Sequence, residues 1–493
     1  MSKVVASVMG RSREQVLGLA RKAAMQGADW LELRLDEWRA QEDLEPVIEQ
    51  CRLPVLVACR LPEDGGRFRG TLAQRRELLS RALAAGARGI DLEQWETWQP
   101  PSGLTGLALR IRSFHSFTGV PKELAQLRDE LSSPGTVVKL VVTASDLADA
   151  APVLALLQET DQERQPLVAF AMGRAAWVTR VLAAAFGAPL VYGCVEPGEA
   201  VVPEQPLVSQ LVGLYRVHEL SRATKLFGVL GNPALHSLGP WLHNRAFRHA
   251  RVDGLYLPLE TARPEAVLSM LPRQRLGGVS VTAPHKQRLL EVCAALDQSA
   301  ADVGAVNTLV AESDGGLTGY NTDLDGCEHA LRAAGAGKHP GAPAAVLGAG
   351  GASQAAIVVL QRLGYEVTVL ARSLDAARPI AERHGVQLAS SSAAVLVELQ
   401  PRVVVNATPV GSADRDPDER LVPDYVPAPG TIVFDMVYRP GETRLLRDAR
   451  AAGAVVVPGV EMFLAQAAAQ VELFTGTAIP PAALRRHLAG SLP

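Results

Sequence analysis

Lys139 stands inside TVVKLVVT (136–143), a run that otherwise reads as a buried β-strand. A single lysine in a strand usually lies at an edge or extends its amine to water. Five other polar residues change that reading. Glu32 and Arg34 in ELRLD, Arg60 after VLVAC, Glu93 in DLE and His115 in SFHSF each interrupt or end an apolar run. A buried lysine loses its charge readily. The neutral amine adds to a ketone and forms a Schiff base, and the imine then drains electrons from a carbanion at the adjacent carbon. His115 is placed to act as general base, and Glu93 to orient its imidazole. The arginines suit an anionic substrate, most simply a carboxylate.

These residues need a frame that brings strand ends together. Strand-like runs occur at 4–9, 30–35, 55–59, 88–93, 107–114, 136–142, 166–172 and 190–195. Most gaps hold helix-like stretches such as REQVLGLARKAAMQG, LAQRRELLSRALAAGA and RAAWVTRVLAAAFG. Eight strands alternating with helices in roughly 220 residues is the pattern of an α/β fold of the (β/α)8 barrel type, whose strand ends converge on one mouth. An open doubly wound sheet is the alternative, because periodicity does not show closure. LFGVLG (226–231) restarts the pattern. The expected division is 1–221 for the barrel, then 222–331 completed by about 463–493 for one lobe, with 332–462 as a nucleotide-binding lobe. DRDPDER (414–420) reads as a solvated loop.

ELRLD, DLE, a histidine on the following strand, VVKLVVTA and MGRAAWVTRVLAAAFGA together resemble type I 3-dehydroquinate dehydratase over about residues 3–215. The resemblance implies a TIM barrel in which Lys139 forms the Schiff base with 3-dehydroquinate, His115 is the base and acid, and Glu93 orients it. It implies substrate contacts at Glu32, Arg34 and Arg60, with Arg180 in WVTR on the substrate carboxylate. The closing loop falls on VVPEQ (201–205), where Gln205 matches but Val201 replaces a serine and Glu204 a glycine.

VLGAGGAS (346–353) follows an apolar strand and opens a helix. Glycines there let the backbone approach a pyrophosphate at the helix N-terminus. YEVTVLARS (365–373) supplies the next strand, and it ends in Arg372 and Ser373 where an acidic residue would select NAD. A cation suits a 2′-phosphate, which favours NADP. With GNPALHSLGP, VSVTAPHK, GAVNTL, GYNTDLDG, VVVNATPVG and VEMFLAQAA, the second half resembles shikimate dehydrogenase over 225–485. That resemblance implies Lys286 and Asp323 as the catalytic pair. It implies Thr282 and Asn307 on ring hydroxyls, Ser237 on the carboxylate, and Tyr438 and Gln466 closing over the substrate. Gly348, Gly350, Gly351, Ala352, Arg372, Ser373, Asn406 and Thr408 would face the dinucleotide. The family's second basic residue falls on Ala376, with Arg378 out of register. The carboxylate clamp, commonly Ser-x-Ser, is here Ser237-Leu238-Gly239, a form shown by relatives that act on quinate.

The order of the two halves resembles the plant fusion of these families. The expected function is dehydration of 3-dehydroquinate to 3-dehydroshikimate, then NADPH-dependent reduction to shikimate. Two alternatives stay open: a catabolic quinate/shikimate dehydrogenase, and a dehydrogenase with a non-catalytic barrel. Lys plus Arg is 49 against Asp plus Glu 52, which argues against nucleic acid or an anionic membrane as a partner. No apolar run reaches membrane-span length. Five scattered cysteines without a CxxC pair suggest reduced thiols, no metal and a cytoplasmic location.

Overall fold

The computed structural model describes residues 1–38, 43–100 and 107–488; the expected C-terminal span 463–493 therefore ends outside the described residues. Two compact units are present. One comprises Met1–Leu226 with Asp253–Arg275, the other Phe227–Val252 with Leu276 onward.

The first unit is built on eight strands: β1 Lys3–Met9, β2 Trp30–Arg34, β3 Val55–Ala58, β4 Gly89–Glu93, β5 Leu109–His115, β6 Val137–Thr143, β7 Leu167–Met172 and β8 Leu190–Gly193. They lie in sequence order from β1 to β7, and β8 pairs back onto β1. Every pairing is parallel. Across the remaining seam the rings of Phe170 (β7) and Tyr192 (β8) are 6.5 Å apart. This is the barrel that the strand spacing predicts. Helices such as Arg13–Met25, capped by Ser12, and Leu72–Ala84, capped by Thr71, cover its outside. Of the apolar stretch expected as one long helix after β7, only Thr179–Ala185 is α-helical.

Side chains alternate along a strand, so residues two apart share a face. Val5, Leu56, Ile111, Val141, Val168, Phe170, Leu190 and Tyr192 form the apolar filling of the barrel interior. Glu32, Arg34, Asp91, Glu93, Ser113, His115 and Lys139 have the same parity and are displayed inward. The unit also takes in β10, Gly254–Glu260, and the helix Pro264–Met270, a segment inside the lobe expected over 222–331. Thr261 Oγ1 donates to Asp146 at 2.6 Å and Ala262 N at 2.8 Å, while Arg263 pairs with Asp149 at 2.5 Å. Asp146 also caps the 3-10 turn Leu147–Ala150.

In the second unit β9 (Lys225–Gly231), β11 (Leu276–Val281), β13 (Thr308–Ala311), β14 (Leu317–Tyr320) and β12 (Ala295–Leu296) follow one another in a sheet. A separate parallel sheet has the order β17 (Gln387–Ser390), β16 (Glu366–Ala371), β15 (Pro343–Leu347), β18 (Val403–Asn406), β19 (Ile432–Asp435), β20 (Val455–Val457). Its strand order reverses between β15 and β18, the crevice in which such sheets bind dinucleotides. Helices Asp323–Ala333 and Gly459–Thr475 pack closely, because a Cβ at Gly326 would lie 2.8 Å from Met462 O. Residues 414–420 are exposed and lie outside helices and strands, as a solvated loop should.

Candidate active sites

Lys139 is buried near the middle of β6, directly opposite Ser113 on β5. Its Nζ lies 2.9 Å from Asp91 Oδ2, 3.5 Å from Glu32 Oε1 and 4.0 Å from the centre of the Tyr192 ring. Asp91 also receives Arg60 Nη2 at 2.6 Å. Burial alone would raise the Asp91 carboxyl, but Arg60 and Lys139 hold it well below the usual carboxylate range. Glu32 follows the same logic: desolvation raises it, and Lys139, Arg34 and Arg60 bring it down. Arg34 is held by Asp36.

His115 ends β5 at the mouth. Arg60 Nη1 is 2.8 Å from its ring nitrogens. Desolvation, then the charges of Arg60 and Lys139, hold the imidazole well below its ordinary pKa, so it rests neutral and able to take a proton. Glu93 was expected to orient this ring; among the described residues no hydrogen bond joins the two, and Glu93 Oε1 lies 3.9 Å from the same Arg60 Nη1 that meets His115. The partner of Glu93 is Arg75, fully buried on helix Leu72–Ala84, which also donates to Cys59 O at 2.6 Å and Glu96 at 2.7 Å. Arg75 reaches in from the outer helix and takes Glu93 Oε2, while Glu93 Oε1 has no hydrogen-bond partner.

Arg180 is 3 % exposed, with its guanidinium 3.9 Å from the centre of the Phe170 ring. Among the described residues no carboxylate comes within ion-pair distance of it, and its Nε has no hydrogen-bond partner. Burial pushes it down to about 10. Arg180, Gln205, Val201 and Val202 line one cavity with Lys139, His115, Glu32, Arg34, Arg60 and Asp64. Gln205 Oε1 accepts from Val201 N at 3.3 Å.

In the second unit Lys286 is paired with Asp323, the first residue of helix Asp323–Ala333. Asn307 Nδ2 donates to Asp323 Oδ1 at 2.8 Å and to Thr322 Oγ1 at 3.0 Å, while its Oδ1 accepts Thr322 N at 2.7 Å. Asn307 therefore fixes the carboxylate that meets the lysine. Thr282 Cγ2 would sit 2.2 Å from a Cβ at Gly231, so that glycine lets the ends of β9 and β11 close together. Ser237 Oγ accepts Gly239 N at 3.0 Å. Burial raises the Tyr438 phenol, and a hydrogen bond with Ser237 opposes the shift. Tyr438 stacks on Phe463 with centroids 4.8 Å apart, and Gln466 Nε2 donates to Phe463 O at 2.9 Å. One turn on, Gln470 bonds Ser280 Oγ at 2.8 Å and Thr308 Oγ1 at 2.9 Å.

The glycine turn joins β15 to helix Gly351–Arg362. Gly348 has φ +108°, and a Cβ there would meet Thr408 Cγ2 at 2.9 Å. Gly350 faces open space, and a Cβ at Gly351 would meet Lys286 Cβ at 3.1 Å. The turn thus abuts the Lys286–Asp323 pair and leaves room beside the first helical turn, where Ala352 lies. Arg372 is exposed with no carboxylate at ion-pair distance among the described residues, whereas Ser373 caps helix Leu374–His384. Glycine cradle, helix N-terminus and uncommitted arginine fit a phosphorylated dinucleotide.

Asp91, Arg75, Gln470 and Asp64 were not singled out from sequence. Asp91 had a signal, since two acids two apart in DLE must share a face. Arg75 lies in what reads as an ordinary surface helix.

Comparison with known proteins matches residues 4–222 to the type I 3-dehydroquinase family. Residues 229–309 match the shikimate dehydrogenase substrate binding domain, and 459–488 the shikimate 5′-dehydrogenase C-terminal domain. The bifunctional chloroplastic 3-dehydroquinate dehydratase/shikimate dehydrogenase of Arabidopsis thaliana is 32% identical over 97% of this chain and 83% of its own. The NADP(+) shikimate dehydrogenase of Oleidesulfovibrio alaskensis is 38% identical over 54% of this chain and 96% of its own. The shikimate dehydrogenase structure from Aquifex aeolicus superposes with a TM-score of 0.50 at 29% identity, covering 54% of this chain and 97% of that one. With a buried lysine and a histidine lining one cavity in the barrel and a lysine–aspartate pair beside a glycine turn, the chain belongs to the family of bifunctional 3-dehydroquinate dehydratase/shikimate dehydrogenases.

Proposed function

We propose that the barrel dehydrates 3-dehydroquinate and that the second unit reduces the resulting 3-dehydroshikimate to shikimate with NADPH. The observation that carries the first step is a buried lysine facing a cavity with a neutral histidine and with Arg180, a cation that lacks a counter-ion. Lys139 Nζ adds to the substrate ketone, and loss of water gives the imine. Asp91 and Glu32 are the nearest acceptors for the proton that must leave Nζ. His115 takes a proton from the adjacent carbon, and the imine holds the electron pair. The hydroxyl on the next carbon leaves with that proton as water, and hydrolysis frees Lys139. Arg180 takes the substrate carboxylate.

In the second unit NADPH supplies the hydride, in agreement with relatives named for NADP(+) and with an NADP+-bound shikimate dehydrogenase whose fold superposes at a TM-score of 0.50 and 26% identity. Lys286 and Asp323 deliver the proton to the carbonyl oxygen, and Asn307 keeps the pair aligned. Ser237 and Tyr438 hold the carboxylate end, with Thr282 and Gln466 on the ring. Gly239 leaves one hydroxyl in the clamp, and this favours quinate as a second, poorer substrate. Among the described residues no helix is long and apolar enough to cross a membrane; the five free cysteines suit the cytoplasm.

Borohydride reduction in the presence of 3-dehydroquinate, followed by peptide mass analysis, tests the first half. An adduct on Lys139 is expected; its absence returns the barrel to a scaffold role. Shikimate and quinate oxidation with NADP and NAD tests the second, with shikimate and NADP preferred. Equal rates on quinate would favour a catabolic enzyme.

A further inference from the structure

Asp435 ends β19 and is 0 % exposed, yet no cation contacts it. Burial pushes its carboxyl up to about 6, and only neutral donors oppose the shift: Thr443, the Val437 amide and Asn406. Asn406 Nδ2 donates at 2.9 Å, Val437 N at 3.0 Å and Thr443 Oγ1 at 2.5 Å. A buried carboxylate held this way is less stable than a buried amide, so its position asks for a reason.

The three donors lead to two walls of the dehydrogenase site. A carboxylate only accepts, so it obliges the Asn406 amide to point Nδ2 inward and Oδ1 outward. Oδ1 then accepts Thr408 N at 2.9 Å and Thr408 Oγ1 at 2.7 Å. Thr408 in turn packs on the turn at Gly348. The other two donors bracket the segment 437–443 that carries Tyr438. Thr443 is also the N-cap of helix Arg444–Ala451.

We infer that Asp435 is a positioning residue that sets the cofactor wall (Asn406–Thr408) and the substrate-closing segment (Tyr438) from one buried acceptor. The inference rests on the dehydrogenase reading above. It predicts a split that general destabilisation does not give. Asp435→Ala raises KM for both NADP and shikimate by about tenfold, with kcat lowered less and the barrel's dehydration rate unchanged. Thr443→Val, which removes one arm without changing shape, raises KM for shikimate and leaves KM for NADP unchanged. Asp435→Asn restores most of the loss, because its amide can donate to Thr443 while its oxygen serves Asn406 and Val437.

Steady-state kinetics of the full chain with each substrate varied would read this out. KM values within twofold of the parent in Asp435→Ala, or equal changes of both KM values in Thr443→Val, overturn it. Should Asp435→Ala not fold, Thr443→Val and Asp435→Asn decide alone. If the parent protein oxidises no shikimate, the functional reading fails instead. NADP binding followed by protein fluorescence then still tests the Asn406 arm, and affinity equal in Asn406→Ala and the parent would overturn it.

Discussion

At the residue scale, the barrel site is a crowd of charges whose balance is local. Asp91 is the counter-ion shared by Lys139 and Arg60. Replacing it with Asn leaves Lys139 with Glu32 at 3.5 Å and Arg60 with Glu93 at 3.9 Å, and breaking a buried ion pair costs roughly 3–5 kcal/mol. Urea unfolding of Asp91→Asn should show a loss of that order, and dehydration should fall with it. His115 offers a sharper check. Its depressed pKa means the neutral, proton-accepting form persists as pH falls below the ordinary imidazole range and is lost only further down. The His115 ring resonance followed by NMR should still report neutral imidazole at about pH 6; a midpoint at or above the ordinary value contradicts the geometry. Period-two alternation made the inward set of Glu32, Arg34, His115 and Lys139 legible. It did not show that Arg75, on an outer helix whose sequence looks solvated, would reach in and pair with Glu93.

At the element scale, glycines set how close the walls of the dehydrogenase site stand. Gly326 lets helix Asp323–Ala333, which begins at the partner of Lys286, rest on helix Gly459–Thr475, which carries Gln466. Gly326→Ala forces them apart and should cost about 1–3 kcal/mol. Shikimate oxidation should drop while dehydration holds, read by paired assays and thermal melts. Gly348→Ala meets both an unfavourable φ and Thr408, so KM for NADP should rise several-fold. The glycine turn and its strand were readable from sequence, because a tight strand-to-helix turn demands that residue type. The Lys286–Asp323 meeting was not. Thirty-seven positions separate the two, and Asn307 joins them from a third element. Nothing in local spacing encodes that; family resemblance supplied it. Asp435 went unremarked for a similar reason, since an acid at a strand end reads as the start of a turn.

At the scale of the whole molecule, the two chemistries draw on separate sets of residues. Lys139→Ala should abolish dehydration and leave the kcat/KM for shikimate oxidation unchanged, and Lys286→Ala should do the reverse. Spectrophotometric assays of both activities on each variant check this, and loss of both from either change would mean the reactions share machinery. The alternation of eight strands with helices was legible from sequence, but closure into a barrel was not, and the second parallel sheet was marked by its glycine turn. The grouping of residues 253–275 with the barrel was not, because Thr261 and Arg263 are indistinguishable in sequence from ordinary loop residues. Arg180 has a consequence at this scale too. A buried guanidinium without a counter-ion makes the empty barrel less stable than one with an apolar side chain there. A chain that kept this barrel only as a scaffold would gain by losing that charge, whereas a working dehydratase cannot spare it. Under the proposed dehydratase reading, Arg180 is a charge held in the barrel at a cost to stability.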